Sequence, residues 1–571
     1  MAKRWVVKPI GNTDEISIVA NALNIDNVLA NLLVQRGIKT FENAKSFFRP
    51  SLDDLHDPFL MKEMHDAVER LEYALSENQK ILVYGDYDVD GTTSVAMVFS
   101  FLKKRHEFIE YYIPDRYGEG YGISYKAMDY AHENGFSLII ALDCGIKADK
   151  KVIYGKKLGI DFIICDHHNP NDVIPGAVAV LDPKRPDCNY PFKELSGCGV
   201  GFKLLQAFCI KNNIPLDELF VYLDILTVSI ASDIVPIIDE NRVLCHFGLK
   251  KLNSNPSIGL KSIMNLSGMN TEMCINDIVF RIGPRINAAG RINSGNRAVE
   301  LLLAENEKEA FDFAEEINKF NTHRKDLDSS ITLEALSAIK ESDILINKKS
   351  TVLYKPEWHK GVLGIVASRL IETYYKPTVV LTQSDGLLTG SARSVPGFDL
   401  YKAIDSCNEY LENFGGHMYA TGLTLKPENL DAFKDKFEKI VSETVSDEQL
   451  TPYIDIDSVL NFSEINSKFY RILKQFEPFG PENMRPVFLT KNVFDFGSSR
   501  IVGKEGEHLK LDLIQENDPY NVLSGIAFGQ SEHFELINKK QPVDICYSIE
   551  ENDFQGKVTL QLRIRDIRIA D

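Results

Sequence analysis

The sequence predicts an α/β protein: a doubly wound parallel sheet, a smaller α/β domain reached through a long helix, and a terminal β-barrel of the OB kind. Three observations predict it. Apolar strands at 81–84, 138–142 and 162–165 alternate with stretches of helical period, the pattern of parallel strands covered by helices. Residues 306–340 carry few helix breakers and read as one long helix or two joined ones. Residues 508–514 and 558–569 alternate apolar with polar, with Gly and Asn between them, as half-buried strands of a small barrel do.

In order along the chain, residues 16–75 read as short helices, with 20–37 at helical spacing and a stop at Gly37. A helix over 92–104 follows the first strand, and one over 126–134 precedes the second. Further helices are expected at 202–212 and 216–231, the latter very apolar and therefore buried. A second α/β pattern begins near 350, with strand 351–354, helix 362–375 and strand 378–381. The resulting divisions are 1–70 (helical), 71–305 (main sheet domain), 306–345 (connecting helix), 346–450 (second α/β domain) and 451–571 (barrel).

Composition narrows the function. With 571 residues, 44% hydrophobic and 26% charged, the chain has the make-up of a soluble multidomain protein. A net charge of -18 excludes a globally basic nucleic-acid binder, so any such contact needs a local basic surface or bound metal. Nine scattered cysteines without a C-x-x-C pair favour free thiols in a reducing compartment. No apolar signal segment follows Met1, and the longest apolar runs are too short to span a bilayer, so a cytoplasmic protein is expected.

Chemistry concentrates at the strand ends. The first strand runs into Gly85-Asp86-Tyr87-Asp88-Val89-Asp90-Gly91, the second into Asp143-Cys144-Gly145, the third into Asp166-His167-His168. In a parallel sheet these ends open onto one crevice. Five aspartates and two histidines there would repel one another without a cation, so this is a candidate metal site for two ions. Carboxylate oxygens suit Mg²⁺ and Mn²⁺, and imidazole from His167 shifts the preference toward Mn²⁺ or another transition metal. Turn chemistry alone accounts for Asp-Gly at a strand end, but not for two adjacent histidines. Asp233, after the apolar 225–231, reads by itself as a cap.

A second group is cationic. From Arg281 to Val299 there are four arginines (Arg281, Arg285, Arg291, Arg297) and no acid, with Gly283, Pro284 and Gly290 implying a fixed loop. Guanidinium forks bind phosphate bidentately, so this reads as a wall for a nucleic-acid backbone. In the second α/β domain His359-Lys360-Gly361 precedes a helix whose free N–H groups suit an anion. Gly390-Ser391-Ala392-Arg393-Ser394 and Gly415-Gly416-His417 read as two more anion-binding loops, and Arg116 and Tyr121 add to that wall. The barrel offers aromatics (Phe494, Phe496, Tyr520, Phe528) and Arg563, Arg565 and Arg568 for stacking and phosphate contact.

These motifs, with Ser232-Asp233-Ile234-Val235-Pro236, resemble the four motifs of the DHH phosphoesterase superfamily, and their wording and order are closest to its RecJ branch of single-strand exonucleases. The likeness includes Ile113-Pro114-Asp115-Arg116-Tyr117, Pro284-Arg285-Ile286-Asn287-Ala288-Ala289-Gly290-Arg291, Trp358-His359 with 361–369, and Phe479-Gly480-Pro481. The resemblance implies that Asp143 bridges two Mn²⁺ or Mg²⁺ ions, that Asp86, Asp88, Asp90, His167 and Asp233 complete their shells, and that His168 touches the scissile phosphate. Asp166 is either part of that chemistry or a partner orienting a histidine. Arg116, Arg281, Arg285, Asn287, Arg291, His359, Arg369, Ser391, Arg393, Gly415, Gly416 and His417 would hold substrate.

The implied activity is two-metal hydrolysis of single-stranded DNA from its 5′ end to mononucleotides, in repair and recombination. Single-strand-binding protein and a RecQ-type helicase are the implied partners, and the layout is compatible with a monomer. Two other readings compete: a phosphodiesterase for short oligonucleotides or cyclic dinucleotides, and a non-catalytic replication scaffold. The terminal barrel argues against the first, and the filled ligand positions argue against the second.

Overall fold

The computed structural model describes residues 3–570 apart from Asn270, Asn517, Lys540, Gln555 and the Phe554 side chain. It divides into two compact units: His56–Val235 with Phe247–Pro452, and Arg4–Leu55 with Pro236–His246 and Tyr453–Asp571. The expected 1–70 segment therefore does not stay together. Its residues to Leu55 join the second unit, and the helix Met64–Ser76 lies in the first.

The first unit holds a five-stranded, all-parallel sheet of β1 (Lys80–Gly85), β2 (Ile109–Tyr112), β3 (Phe136–Leu142), β4 (Asp161–Cys165) and β5 (Ala179–Leu181). The spatial order is β2-β1-β3-β4-β5, so strand order reverses between β1 and β3. β2 and β5 are short and escaped the sequence reading, while the three strands expected from the apolar runs are β1, β3 and β4. The strands are buried on both faces, as a doubly wound sheet requires. Helices α1 (Val89–Lys103), α4 (Gly197–Lys211) and α5 (Leu223–Ser232) pack together over one face. Over the other face, α2 (Tyr125–Glu133) and α3 (Asp149–Lys157) cover Leu82, Ile139, Phe162 and Ile164.

Three helix readings need correction. The expected 20–37 helix is two, Thr13–Leu23 and Asn27–Gln35, because Asn24 ends the first in the left-handed region (φ 51°). The expected 216–231 helix breaks at Val221–Tyr222 into Asp217–Phe220 and α5. The arginine segment is not a loop: a π-turn, Ile278–Ile282, leads into helix α6 (Gly283–Ile292). Pro284 sits in the first turn, where its missing N–H costs nothing. Gly290 serves close packing, since a Cβ there would lie 2.6 Å from the Tyr87 carbonyl.

α7 (Glu307–Lys340) is one helix of 34 residues. It packs against α6 and, through Ile331, Ala335 and Ile339, against α8 (Leu363–Tyr374). The second α/β domain is a five-stranded mixed sheet of β6 (Thr351–Tyr354), β7 (Thr378–Ser384), β8 (Leu387–Arg393), β9 (Leu411–His417) and β10 (Ala420–Leu425), ordered β9-β10-β8-β7-β6. The two segments read as anion-binding loops are thus paired strands. Ser391 and Gly415 both face Gly422 in register.

In the second unit, the strand Phe488–Asp495 pairs with both His508–Gln515 and Val543–Phe554, and Asp518–Ala527 and Lys557–Ile569 complete the closure. The result is a five-stranded closed barrel of OB type. Its core includes Leu509, Leu511, Leu513, Ile545, Tyr547 and Ile564. Phe496, Phe528 and above all Tyr520 (95% exposed) stand outside, while Phe494 is half-buried. Arg563 lies over the Phe528 ring; Arg568 instead lies over Trp5, near Asp544.

Candidate active site

The reversal of strand order between β1 and β3 opens a crevice at the carboxyl ends of the sheet. Asp86 follows β1 directly, and Asp88 caps α1 by accepting from the Gly91 N–H at 3.0 Å. Asp90, in the first turn of α1, is nearly closed off. Its carboxylate accepts from the N–H groups of Gly197 (2.6 Å) and Cys198 (2.9 Å) at the start of α4, and from the Ser229 hydroxyl on α5 (2.6 Å). Asp86 accepts from the N–H groups of Tyr87 (2.7 Å) and Gly122 (2.8 Å). Burial, then the Asp88 charge, pushes the Asp86 carboxyl up to about 8; burial and Asp90 raise Asp88 as well.

Asp143 follows β3 with φ 58°, a left-handed conformation that Asp tolerates better than most residues. Its N–H donates to the Cys165 carbonyl, which locks it against the end of β4. Gly197 lets α4 approach, because a Cβ there would fall 2.6 Å from that of Asp143. The Nε2 of His167 lies 3.2 Å from Asp143 Oδ1, 3.5 Å from Asp233 Oδ2 and 3.7 Å from Asp90 Oδ2. Asp233 reaches this point from the end of α5. Asp143 also meets the Asp88 side chain. Burial, then Asp90 and Asp88, holds the carboxyls of both Asp143 and Asp233 well above the usual range.

Asp166 plays a different part. Its Oδ2 accepts from the Ile146 N–H, and its Oδ1 accepts from the N–H groups of His167 and His168 and from His168 Nδ1 at 2.7 Å. Both of its oxygens bond the loop, and Asp166 orients His168. Burial opposes a charge on either group, but the pair prevails. His168 is pushed up to about 9, and Asp166 falls below the ordinary carboxylate range. The opposite nitrogen, His168 Nε2, meets the Tyr121 hydroxyl at 3.2 Å, and that hydroxyl donates to the Asp143 carbonyl at 3.3 Å.

The second α/β domain faces this loop. His417, exposed on β9, lies nearly parallel to His168 with ring centres 6.5 Å apart. Gly415 and Gly416 beside it are exposed too. Arg393 donates to the Ser391 hydroxyl at 2.8 Å and covers the start of α8, where a Cβ on Gly364 would meet its guanidinium at 2.6 Å. Arg291 donates to the Gly361 carbonyl at 3.0 Å. Burial, then Arg116 and Arg393, pushes it down to about 10. Arg116 lies over the Tyr87 ring. These guanidiniums repel one another with few acids between them, which is the state of an anion site.

Other expected wall residues stand further out or are already engaged. Arg285 donates to Asn318 and to the Arg281 carbonyl, and Arg281 lies 3.5 Å from Asp277. Arg369 is 2.8 Å from buried Asp328, which it shares with Arg324. Arg297 pairs with Glu300 and Glu316. His359 caps its own turn by accepting from the Gly361 N–H, and Asn287 is half-buried on α6.

The residues fit a divalent metal. Both ring nitrogens of His167 are buried without a hydrogen-bond partner, and burial lowers its pKa, so the imidazole is neutral with a lone pair to offer. Ligand atoms of Asp90, His167 and Asp233 lie within 4.8 Å of one another, as do those of Asp143, His167 and His168. Asp143 touches both Asp88 and His167. Mutually repelling carboxyls around an unpartnered imidazole are what a cation relieves. Ser229, the α4 N–H groups and Arg324 escaped the sequence reading. A Ser-Gly-Cys-Gly run at 196–199 was the available signal for the N–H groups.

Residues 80–230 match the DHH family N-terminal domain, 347–443 the DHHA1 domain, and 456–566 the RecJ OB domain. The chain is 35% identical over 571 residues to the single-stranded-DNA-specific exonuclease RecJ of Bacillus subtilis, covering 100% of the chain and 71% of that relative. It is 31% identical to the Escherichia coli protein of the same name, covering 95% of each. The fold superposes on RecJ from Thermus thermophilus in complex with Mn²⁺ with a TM-score of 0.85 at 26% identity, covering 100% of this chain and 80% of that one. That RecJ has also been solved with Mg²⁺ (TM-score 0.78, 25% identity, covering 100% and 79%).

Proposed function

The chain belongs to the RecJ family of DHH exonucleases, and from that premise we propose that it removes nucleotides from the 5′ end of single-stranded DNA, with Asp143 shared between two Mn²⁺ or Mg²⁺ sites. It is a metal-dependent exonuclease specific for single-stranded DNA. The observation that carries the site assignment is the unpartnered His167 ring set among Asp90, Asp143 and Asp233.

Asp90, Asp143, His167 and Asp233 would hold one ion, and Asp88, Asp143 and Asp86 would face the other. Two bound ions supply a water of near-neutral pKa and offset charge on the phosphoryl group. His168, whose Nδ1 is held by Asp166, would present Nε2–H to a phosphoryl oxygen and stabilise the charge that develops there. Tyr121 holds that nitrogen in place between turnovers. Arg393 and Ser391, on β8 against the start of α8, take the terminal 5′ phosphate, with Arg291 and Arg116 beside them. The exposed barrel aromatics stack bases of the strand.

Within the same reading, single-strand-binding protein and a RecQ-type helicase are the expected partners, the cytoplasm is the compartment, and the monomer is the working form. Repair and recombination are its setting. The test is a time course on a strand labelled at either end, with and without its complement. A 5′ label is released as mononucleotide at once and a 3′ label late, and the duplex is spared. Release of the 3′ label first would refute the polarity.

A further inference from the structure

A second opening lies beside the imidazole pair. Asn169, which follows His168 directly, lines a cavity of about 650 Å³ with Lys184, Arg185, Lys193 and Glu194 from the segment between β5 and α4. That volume suits a small ligand. Arg185, one of the lining residues, is fixed. The guanidinium is only 4% exposed and is spent on Glu63, Asp187 and the Val180 carbonyl. Two lysines keep capacity. Lys193 donates to the Cys188 carbonyl at 2.7 Å, which uses one of an ammonium's three N–H groups.

Lys184 is set by a turn, its backbone N–H donating to Asp182 Oδ1 at 2.7 Å. Its Nζ lies 3.2 Å from Glu194, whose side chain is 42% exposed. The Lys184 charge also acts on His167 and Asp233 in the metal centre and on His417 across from it. In a chain of net charge -18, an open pocket lined by Lys184, Arg185 and Lys193 together with Asn169, the residue after His168, is a local basic surface.

We propose that this cavity is a second phosphate site of the active centre, in which Lys193 and Lys184 hold a nucleotide phosphate adjoining the scissile one and Lys184 exchanges Glu194 for it. The proposal rests on the nuclease reading above. The phosphate has two possible sources: the strand continuing beyond the scissile bond, or the released nucleoside 5′-monophosphate.

The test compares the full chain with Lys184→Ala/Lys193→Ala and Lys184→Arg/Lys193→Arg, using 5′-phosphorylated oligo(dT) as substrate and 5′-dTMP as inhibitor. If the strand fills the site, the alanine pair raises KM roughly tenfold and makes the salt dependence of log kcat/KM shallower by about 0.7, the change for one lost phosphate contact, with Ki for dTMP unchanged. If the product fills it, Ki rises roughly tenfold and KM stays. The arginine pair behaves like the natural chain in both cases. Should the alanine pair not fold, Lys193→Gln alone is read the same way. KM, salt slope and Ki all within about twofold of the natural chain would overturn the proposal. A natural chain that leaves the strand intact with Mn²⁺ would instead overturn the nuclease reading beneath it.

Discussion

The Nε2 of His167 lies 3.2 Å from Asp143 Oδ1, yet neither nitrogen of that ring has a hydrogen-bond partner. Two polar groups buried at contact distance without a bond between them are arranged for a third party. Asp143 is also crowded by Asp90, Asp88 and Asp233. Asp143→Asn keeps the left-handed backbone that Asn tolerates and removes one repelling charge. Its melting temperature in chelator should equal or exceed that of the natural chain. The natural chain should gain about 2.7 kcal/mol with Mn²⁺ at a hundred times its Kd, and the variant almost none. Thermal denaturation with and without Mn²⁺ measures both.

The metal-free protein should lose stability as pH rises. Asp86 is raised from 3.8 to about 8, so its contribution is complete below pH 3.8 and is lost as pH climbs through about 8. His168 is raised from 6.5 to about 9, so its contribution is complete below pH 6.5 and is lost through about 9. Both act in the same direction where their windows overlap, between about pH 6.5 and 8. Mn²⁺ reverses the slope, because deprotonated carboxylates bind it better. Melting temperatures against pH in chelator and in Mn²⁺ check this; a rising curve in chelator would contradict it.

Gly197→Ala forces a Cβ to 2.6 Å from that of Asp143. Either α4 withdraws, taking two N–H groups from Asp90, or Asp143 leaves the cation site. A loss of about 1–3 kcal/mol of stability is expected, together with nearly all activity. Gly176→Ala, with nothing within 4 Å, should be neutral in both assays.

Ser229→Ala removes the 2.6 Å hydrogen bond that helps aim Asp90 at His167. Mn²⁺ affinity should fall roughly 10- to 100-fold, with kcat partly restored by excess metal. Unchanged affinity by calorimetry would mean that the α4 N–H groups alone hold Asp90.

Much of this was legible in the residues. Apolar runs ending in Asp86, Asp143 and Asp166 place those residues at the mouth of a parallel sheet before any coordinate is known. The alternation at 508–515 is that of a barrel wall. Backbone breaks inside apolar stretches were not legible, since Asn24 and Tyr222 interrupt helices whose hydrophobic period continues past them. Nor was the difference between a glycine that turns a loop and one that admits a neighbour, which hid the helix through Gly290 and the strands through Gly390 and Gly415. The role of Asp166 depended on which atoms its oxygens met, and spacing does not encode that. Ser229 reaches Asp90 across 139 positions in sequence, a contact that no local pattern announces.

Calorimetric titration of the full chain with Mn²⁺, beside His167→Ala and Asp143→Asn, tests the metal assignment most directly. Two ions per natural chain are predicted, one lost in His167→Ala and both weakened in Asp143→Asn, with strand hydrolysis falling in step. Unchanged Mn²⁺ stoichiometry and affinity in both variants would contradict it.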